Sequence, residues 1–272
     1  MIARAVIEVV LVGVLTGLIG VQVVVRRLSF FTMALTHATF PGVVAASIIG
    51  VNLLLGGVLT GAVVALGVAA LTRRRGQDAA AATGVLVSGG FALGAALVAT
   101  QSGFSRDLSS FLVGSILTVT SADLIVTAGV LVVVALVLGF CARPLLYAGF
   151  DPVGARAAGL RVDGWDVALL LTIVLVVVTV VPAVGTILAL SLIVAPAAAA
   201  RLWTDRLPAM TGLAVVFGIV SGLTGLYVSA RWNVAAGASI SLAATLVLVG
   251  SWGLRRLIAP TSAQLTGSAV PA

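Results

Sequence analysis

Long apolar runs separated by short polar connectors dominate this chain, near residues 5–25, 32–52, 54–72, 80–100, 122–141, 166–184, 186–203, 208–229 and 237–254. A hydrocarbon core of about 30 Å takes about 20 helical residues at a rise of about 1.5 Å each. The pattern predicts an all-α, polytopic transmembrane helical bundle with eight or nine spans. The segment 108–118 is apolar but too short to cross. It reads as a half-helix or re-entrant piece, which a membrane protein tolerates where it lines a cavity. The first run is too long and too rich in glycine for a removed signal peptide. Residues 1–259 thus form one transmembrane domain, and 260–272 a short polar tail. Four G-x-x-x-G pairs recur inside the runs: Gly13/Gly17, Gly57/Gly61, Gly90/Gly94 and Gly218/Gly222. Such spacing lets helix backbones approach closely.

Composition agrees. Of the 272 residues 61% are hydrophobic and 8% charged, with a formal net charge of +7. All 15 basic residues are Arg, so the Lys of a P-loop or of a Schiff-base cofactor site is absent. A single Cys, Cys141, and a single His, His37, exclude disulfide scaffolds and His-cluster zinc sites. The arginines lie in connectors, where they report membrane topology and contact with anionic lipid rather than nucleic acid. With the N-terminus outside, the inner side holds Arg26, Arg27, Arg73, Arg74, Arg75, Arg143, Arg156, Arg161, Arg201, Arg206, Arg255 and Arg256. The outer side keeps Arg4, Arg106 and Arg231. That asymmetry is a positive-inside signal.

Ionisable groups inside the spans are few: Glu8, His37 and Asp123, with Asp166 at an edge. His37 is expected near the midplane. Met33 precedes it by four residues and shares its helix face. Pro41 lacks the N–H that the His37 carbonyl would accept. Imidazole, thioether and freed carbonyl could therefore converge on a metal ion, or His37 could simply bond a neighbouring helix. Asp123 follows Thr120 at capping-box spacing, which leaves a cap or an outer metal contact open. Glu8 is expected to reach the interface near the end of the first helix. In the connector 142–165, Asp151 and Pro152 have the pattern of a helix start and Gly159 that of a stop. The result is a surface helix of about two turns bearing Arg156, suited to docking a partner or to lying as a plain loop.

Five colinear segments across about 6–256 resemble the permease subunits of ABC importers for zinc, manganese and related divalent metals. In the first, 26–42, Arg27, Ser29, Phe30, Phe31, Ala34, Leu35, His37, Ala38, Pro41 and Gly42 match the family's R-x-S-F-F-G-D-A-L-S-H-A-x-x-P-G. The others are FLVGSILTVTSADL (111–124), FDPVGARAAGL (150–160), PAVGTILALSLIVAPAAAARL (182–202) and GLTGLYVSARWNVAAGASI (222–240). The resemblance implies a bacterial, multi-pass plasma-membrane permease that forms the pathway of an ATP-driven divalent metal importer. By that resemblance it is expected not to be an enzyme itself and to hold no permanent cofactor. A transported zinc or manganese ion passes through it. Cytoplasmic ABC ATPase subunits would engage the coupling helix near 150–160 through Asp151, Arg156 and Gly159. An extracytoplasmic metal-binding protein would meet outer loops bearing Arg106, Asp107 and Arg231. A second permease copy or close paralogue would complete the pathway.

Pathway metal contacts are assigned to His37, Met33 and Asp123. The family's Gly-Asp pair is Thr32-Met33 here. The soft thioether in place of a hard carboxylate tilts the expectation towards zinc over manganese. Two rival classes have less support: an ion-coupled secondary transporter has only Glu8 and Asp123 as coupling carboxylates, and an intramembrane protease lacks a Ser–His or paired-Asp site.

Overall fold

A computed structural model describes residues 2–72, 79–99, 114, 116–159 and 162–258. Among these, helices follow one another without a strand: α1 (Ile2–Val25), α2 (Ser29–Ala38), α3 (Phe40–Ile49), α4 (Leu53–Thr72), α5 (Ala79–Ala99), α6 (Ser121–Phe140), α7 (Ala142–Phe150), α8 (Pro152–Ala157), α9 (Val162–Val184), α10 (Thr186–Trp203), α11 (Leu207–Trp232) and α12 (Ala236–Ile258). Among the described residues seven helices are long and apolar enough to cross a bilayer, α2 and α3 counting together as Ser29–Ile49, against the eight or nine spans expected. Gly185, with φ 98°, separates α9 from α10 at the boundary between the apolar runs 166–184 and 186–203. Of the expected half-helix 108–118, only Gly114 and a 3-10 turn at Ile116–Thr118 fall within the described residues. The tail 260–272, and Arg106 with Asp107, lie outside them.

Two groups of helices make the bundle. One contains α1, α10, α11 and α12; the other packs α2 to α5 around α9. Helix α9 is the axis, with Ile173, Val176, Val177 and Val180 wholly buried. Helices α6 and α12 are peripheral: only 17% and 28% of their apolar windows are buried within the chain. Their outward Val, Leu and Ile side chains suit lipid or another subunit.

The glycine pairs explain one close seam, between α1 and α11. A Cβ on Gly17 would stand 2.6 Å from Val215 Cα, and one on Gly218 would stand 2.7 Å from the Gly13 carbonyl oxygen. Backbones of α1 and α11 therefore touch directly, where no hydrophobic force would draw two apolar helices together in lipid.

The two ends of the bundle differ in charge. Arg26, Arg27, Arg143 and Arg156 lie at one end with α7 and α8; Arg4, Asn52, Asp123 and Arg231 lie at the other. By the positive-inside rule the first end is cytoplasmic.

Candidate functional site

Helix α2 starts beyond a tight reversal. Leu28 N–H donates to the Val23 carbonyl at 2.8 Å, and Arg27 takes φ 58°, rare for a residue with a Cβ. The helix breaks at Thr39, one residue before Phe40 and Pro41 open α3. The break falls where Pro41 removes a donor, as its ring requires. His37, one turn before Pro41, is half-buried. Its ring stands edge-on to Phe91 of α5, with centroids 6.1 Å apart and planes at 89°. Met33, one turn earlier, is exposed. The α2 spacing thus gives imidazole and thioether a common face at a helix break. No cluster of three or more His, Cys, Asp or Glu side chains able to hold a metal occurs among the described residues. The face offers few ligands, which suits a pathway that must release what it binds.

Asp123 is elsewhere. It closes a reciprocal capping box at the start of α6: Thr120 N–H donates to Asp123 Oδ2 at 2.9 Å, and Asp123 N–H donates to Thr120 Oγ1 at 3.3 Å. Its carboxylate also lines a cavity of about 490 Å³ that His37 and Met33 do not reach. The structure therefore brings together two of the three proposed metal contacts and separates the third.

The floor of that cavity holds a group the sequence misplaced. Glu8 does not reach the interface but is 1% exposed, and its Oε1 accepts a 2.8 Å hydrogen bond from Thr127 Oγ1 on α6. The reason is α6, which packs along α1 and covers the carboxyl. Thr127 lies four residues after Asp123, a spacing that places both on one face of α6. Nothing in the sequence near Glu8 announces that partner.

At the cytoplasmic end, α8 is built as its residues foretell. Asp151 Oδ1 accepts from Gly154 N–H at 2.8 Å, Pro152 opens the helix, and Gly159 follows its end at φ 80°. Arg156 is exposed and pairs loosely, at 3.4 Å, with Asp163 at the start of α9. A second ion pair was not foreseen. Arg26, at the end of α1, donates from Nη1 to Asp166 Oδ1 at 2.6 Å and from Nη2 to the Leu145 carbonyl. One guanidinium thus joins α1, α7 and α9 beside the surface helix. Its planar fork suits two acceptors at once.

Comparison with known proteins follows the same lines. The chain is 38% identical over 242 residues to the manganese transport system membrane protein MntC of Halalkalibacterium halodurans, covering 89% of this chain and 83% of that one. It is 32% identical over 249 residues to the manganese import system permease protein ScaB of Streptococcus gordonii, covering 92% and 89%. Among solved structures, PsaBC from Streptococcus pneumoniae in complex with Fab superposes with a TM-score of 0.84 at 32% identity, over 92% of this chain and 90% of that one. Residues 1–254 match the ABC 3 transport family. With that match across nearly the whole chain, and a bundle of apolar helices to go with it, the protein belongs to the ABC 3 transport family.

Proposed function

We propose that the chain is the permease subunit of an ATP-driven manganese importer, with residues 1–259 forming the transmembrane domain and the translocation pathway. The observation that carries this reading is the likeness, over about nine-tenths of the chain, to MntC and ScaB, which are named as membrane components of manganese transport systems. The names of the relatives favour manganese as cargo. Zinc is the second reading, favoured by the thioether of Met33 beside His37. The family match favours ATP-driven transport over an ion-coupled secondary transporter. The partners are cytoplasmic ATPase subunits, an extracytoplasmic metal-binding protein, a second permease copy or close paralogue, and membrane lipid.

In this mechanism the ATPase moves the cytoplasmic end through α8. Asp151 and Gly159 set where the helix begins and ends, and Arg156 projects from it towards the ATPase. Closure and reopening of the ATPase dimer then switch the bundle between outward-open and inward-open states. The metal passes the His37–Met33 face between the two.

The test is manganese uptake into vesicles holding the assembled transporter. Uptake is expected to require ATP and to persist when ion gradients are collapsed. Arg156→Glu should retain ATP hydrolysis and lose most of the uptake, because the reversed charge faces the partner and leaves the fold intact. ATP-driven uptake equal to wild type in that variant would remove Arg156 from the coupling surface.

Met33 allows a finer check. A carboxylate at this position adds a hard, charged ligand next to His37, and Coulomb attraction for a dication is large where the dielectric is low. Met33→Asp is expected to raise manganese uptake relative to zinc severalfold in a competition assay. An unchanged ratio would show that Met33 does not face the moving ion.

A further inference from the structure

Glu8 is buried to 1% exposure, and although Thr127 satisfies its Oε1, its Oε2 meets no hydrogen-bond donor among the described residues. A carboxylate oxygen removed from water without a donor is strongly unfavourable unless the group takes up a proton or positive charge meets it. Ionisable groups within membrane spans mark ion pathways for that reason. The side chain lines the cavity of about 490 Å³ together with Asn52, Asp123, Thr39 and Thr179. Asn52 and Asp123 are exposed at the outer end of the bundle, so the cavity leads from an exposed rim to a buried carboxyl group. Both Thr120 bonds to the Asp123 carboxylate fall on Oδ2, and Oδ1 takes neither.

We propose that Glu8 and Asp123 form a second divalent-cation site, selective for hard ions such as manganese, at the outer end of the pathway. The ligand set decides the class of ion. No His, Cys or Met side chain lines this cavity. Carboxylate, amide and hydroxyl oxygens suit manganese, whereas zinc gains from imidazole and sulfur. The position decides its independence. Thr39 follows His37 by two residues, about 200° around a helix at about 100° per residue, so the cavity and the His37 ring occupy opposite sides of the α2–α3 break. Val43, Asn52 and Asp123 place the cavity towards the outer end, so an ion at Glu8 waits outside the break, and the acidic charge absent from position 33 is supplied from α1 and α6 instead. That the ion is cargo rests on the importer reading; the site itself does not.

The test is a titration of the full chain in lipid nanodiscs with manganese alone, read by the loss of the free-ion electron paramagnetic resonance signal. A His37→Ala background leaves only the proposed site to be read. Glu8→Gln keeps the size of the side chain and its bond to Thr127 but removes the charge. It is expected to weaken manganese binding about tenfold or more, the loss that follows even from removing an outer-shell partner. Asp123→Asn keeps the cap of α6 and should weaken binding less. Zinc should compete poorly. Binding unchanged by Glu8→Gln would overturn the proposal, as would a loss of thermal stability alone, which would make Glu8 only a clamp to Thr127. Absence of manganese binding in the His37→Ala background would overturn it equally. Uptake measured alongside separates the two readings. If the wild-type transporter imports manganese but Glu8→Gln binds as the parent does, the site fails and the importer reading stands. If nothing is imported yet binding depends on Glu8, the site stands and the importer reading fails.

Discussion

Replacing His37 by alanine is expected to abolish metal uptake while the transporter remains assembled. The imidazole is the only one in the chain, and it stands half-buried at the end of α2, immediately before the break at Thr39. Its ring packs edge-to-face on Phe91. Such a ring pair contributes about 1 kcal/mol. A purely structural histidine would therefore show its loss as a fall of a few degrees in melting temperature, with uptake largely kept. A pathway histidine shows the reverse, since no cluster of three or more His, Cys, Asp or Glu side chains occurs among the described residues to share the ion. Uptake and thermal unfolding measured on the same preparation separate the two, and retained uptake with lowered stability would make the residue structural.

Removing the Arg26 guanidinium should have the second largest effect. Its side chain is 10% exposed, whereas that of its partner Asp166 is 46% exposed. Breaking a buried pair costs about 3–5 kcal/mol, but the exposed carboxylate is screened by water, so about 1–2 kcal/mol is expected for Arg26→Ala. Transport should suffer more than stability. The same guanidinium holds the Leu145 carbonyl of α7, which leads directly into the helix proposed to meet the ATPase. Arg26→Ala is expected to hydrolyse ATP near the wild-type rate and to lose about tenfold or more in uptake per ATP, of the order of one coupling interaction. Arg26→Lys keeps the charge but offers no planar fork, and should fall between the two. Equal loss of hydrolysis and uptake would place Arg26 in folding rather than in coupling.

How well the sequence foretold each feature depended on the distance between partners along the chain. The Thr120–Asp123 box and the Asp151 cap each involve residues within four positions, so spacing alone announced them; at Pro41 the missing donor was legible, but the division of the 32–52 run into α2 and α3 was not. The glycine pairs were legible as close-packing surfaces, but which helices they join was not, because Gly17 meets Val215 only after the bundle has formed. Glu8 and Arg26 were opaque for the same reason. Their partners Thr127 and Asp166 lie 119 and 140 residues away, and no local pattern records a contact of that range. Glu8 was misplaced because a carboxyl near a helix end reads as interfacial until the helix that covers it is known.

The glycine seam between α1 and α11 constrains how this bundle can move. Helices whose backbones are in contact along Gly13, Gly17 and Gly218 cannot slide by a fraction of a turn without collision, since at these positions backbone meets backbone. They are locked as a single lever, and rearrangement between them is closed off. Motion must be accommodated where larger, softer side chains intervene, and where α2 and α3 meet without a continuous hydrogen-bond ladder. The α1 end of that lever carries Arg26 and its middle abuts α6, so a displacement imposed at the cytoplasmic end is delivered across the bilayer to Glu8 without being absorbed on the way.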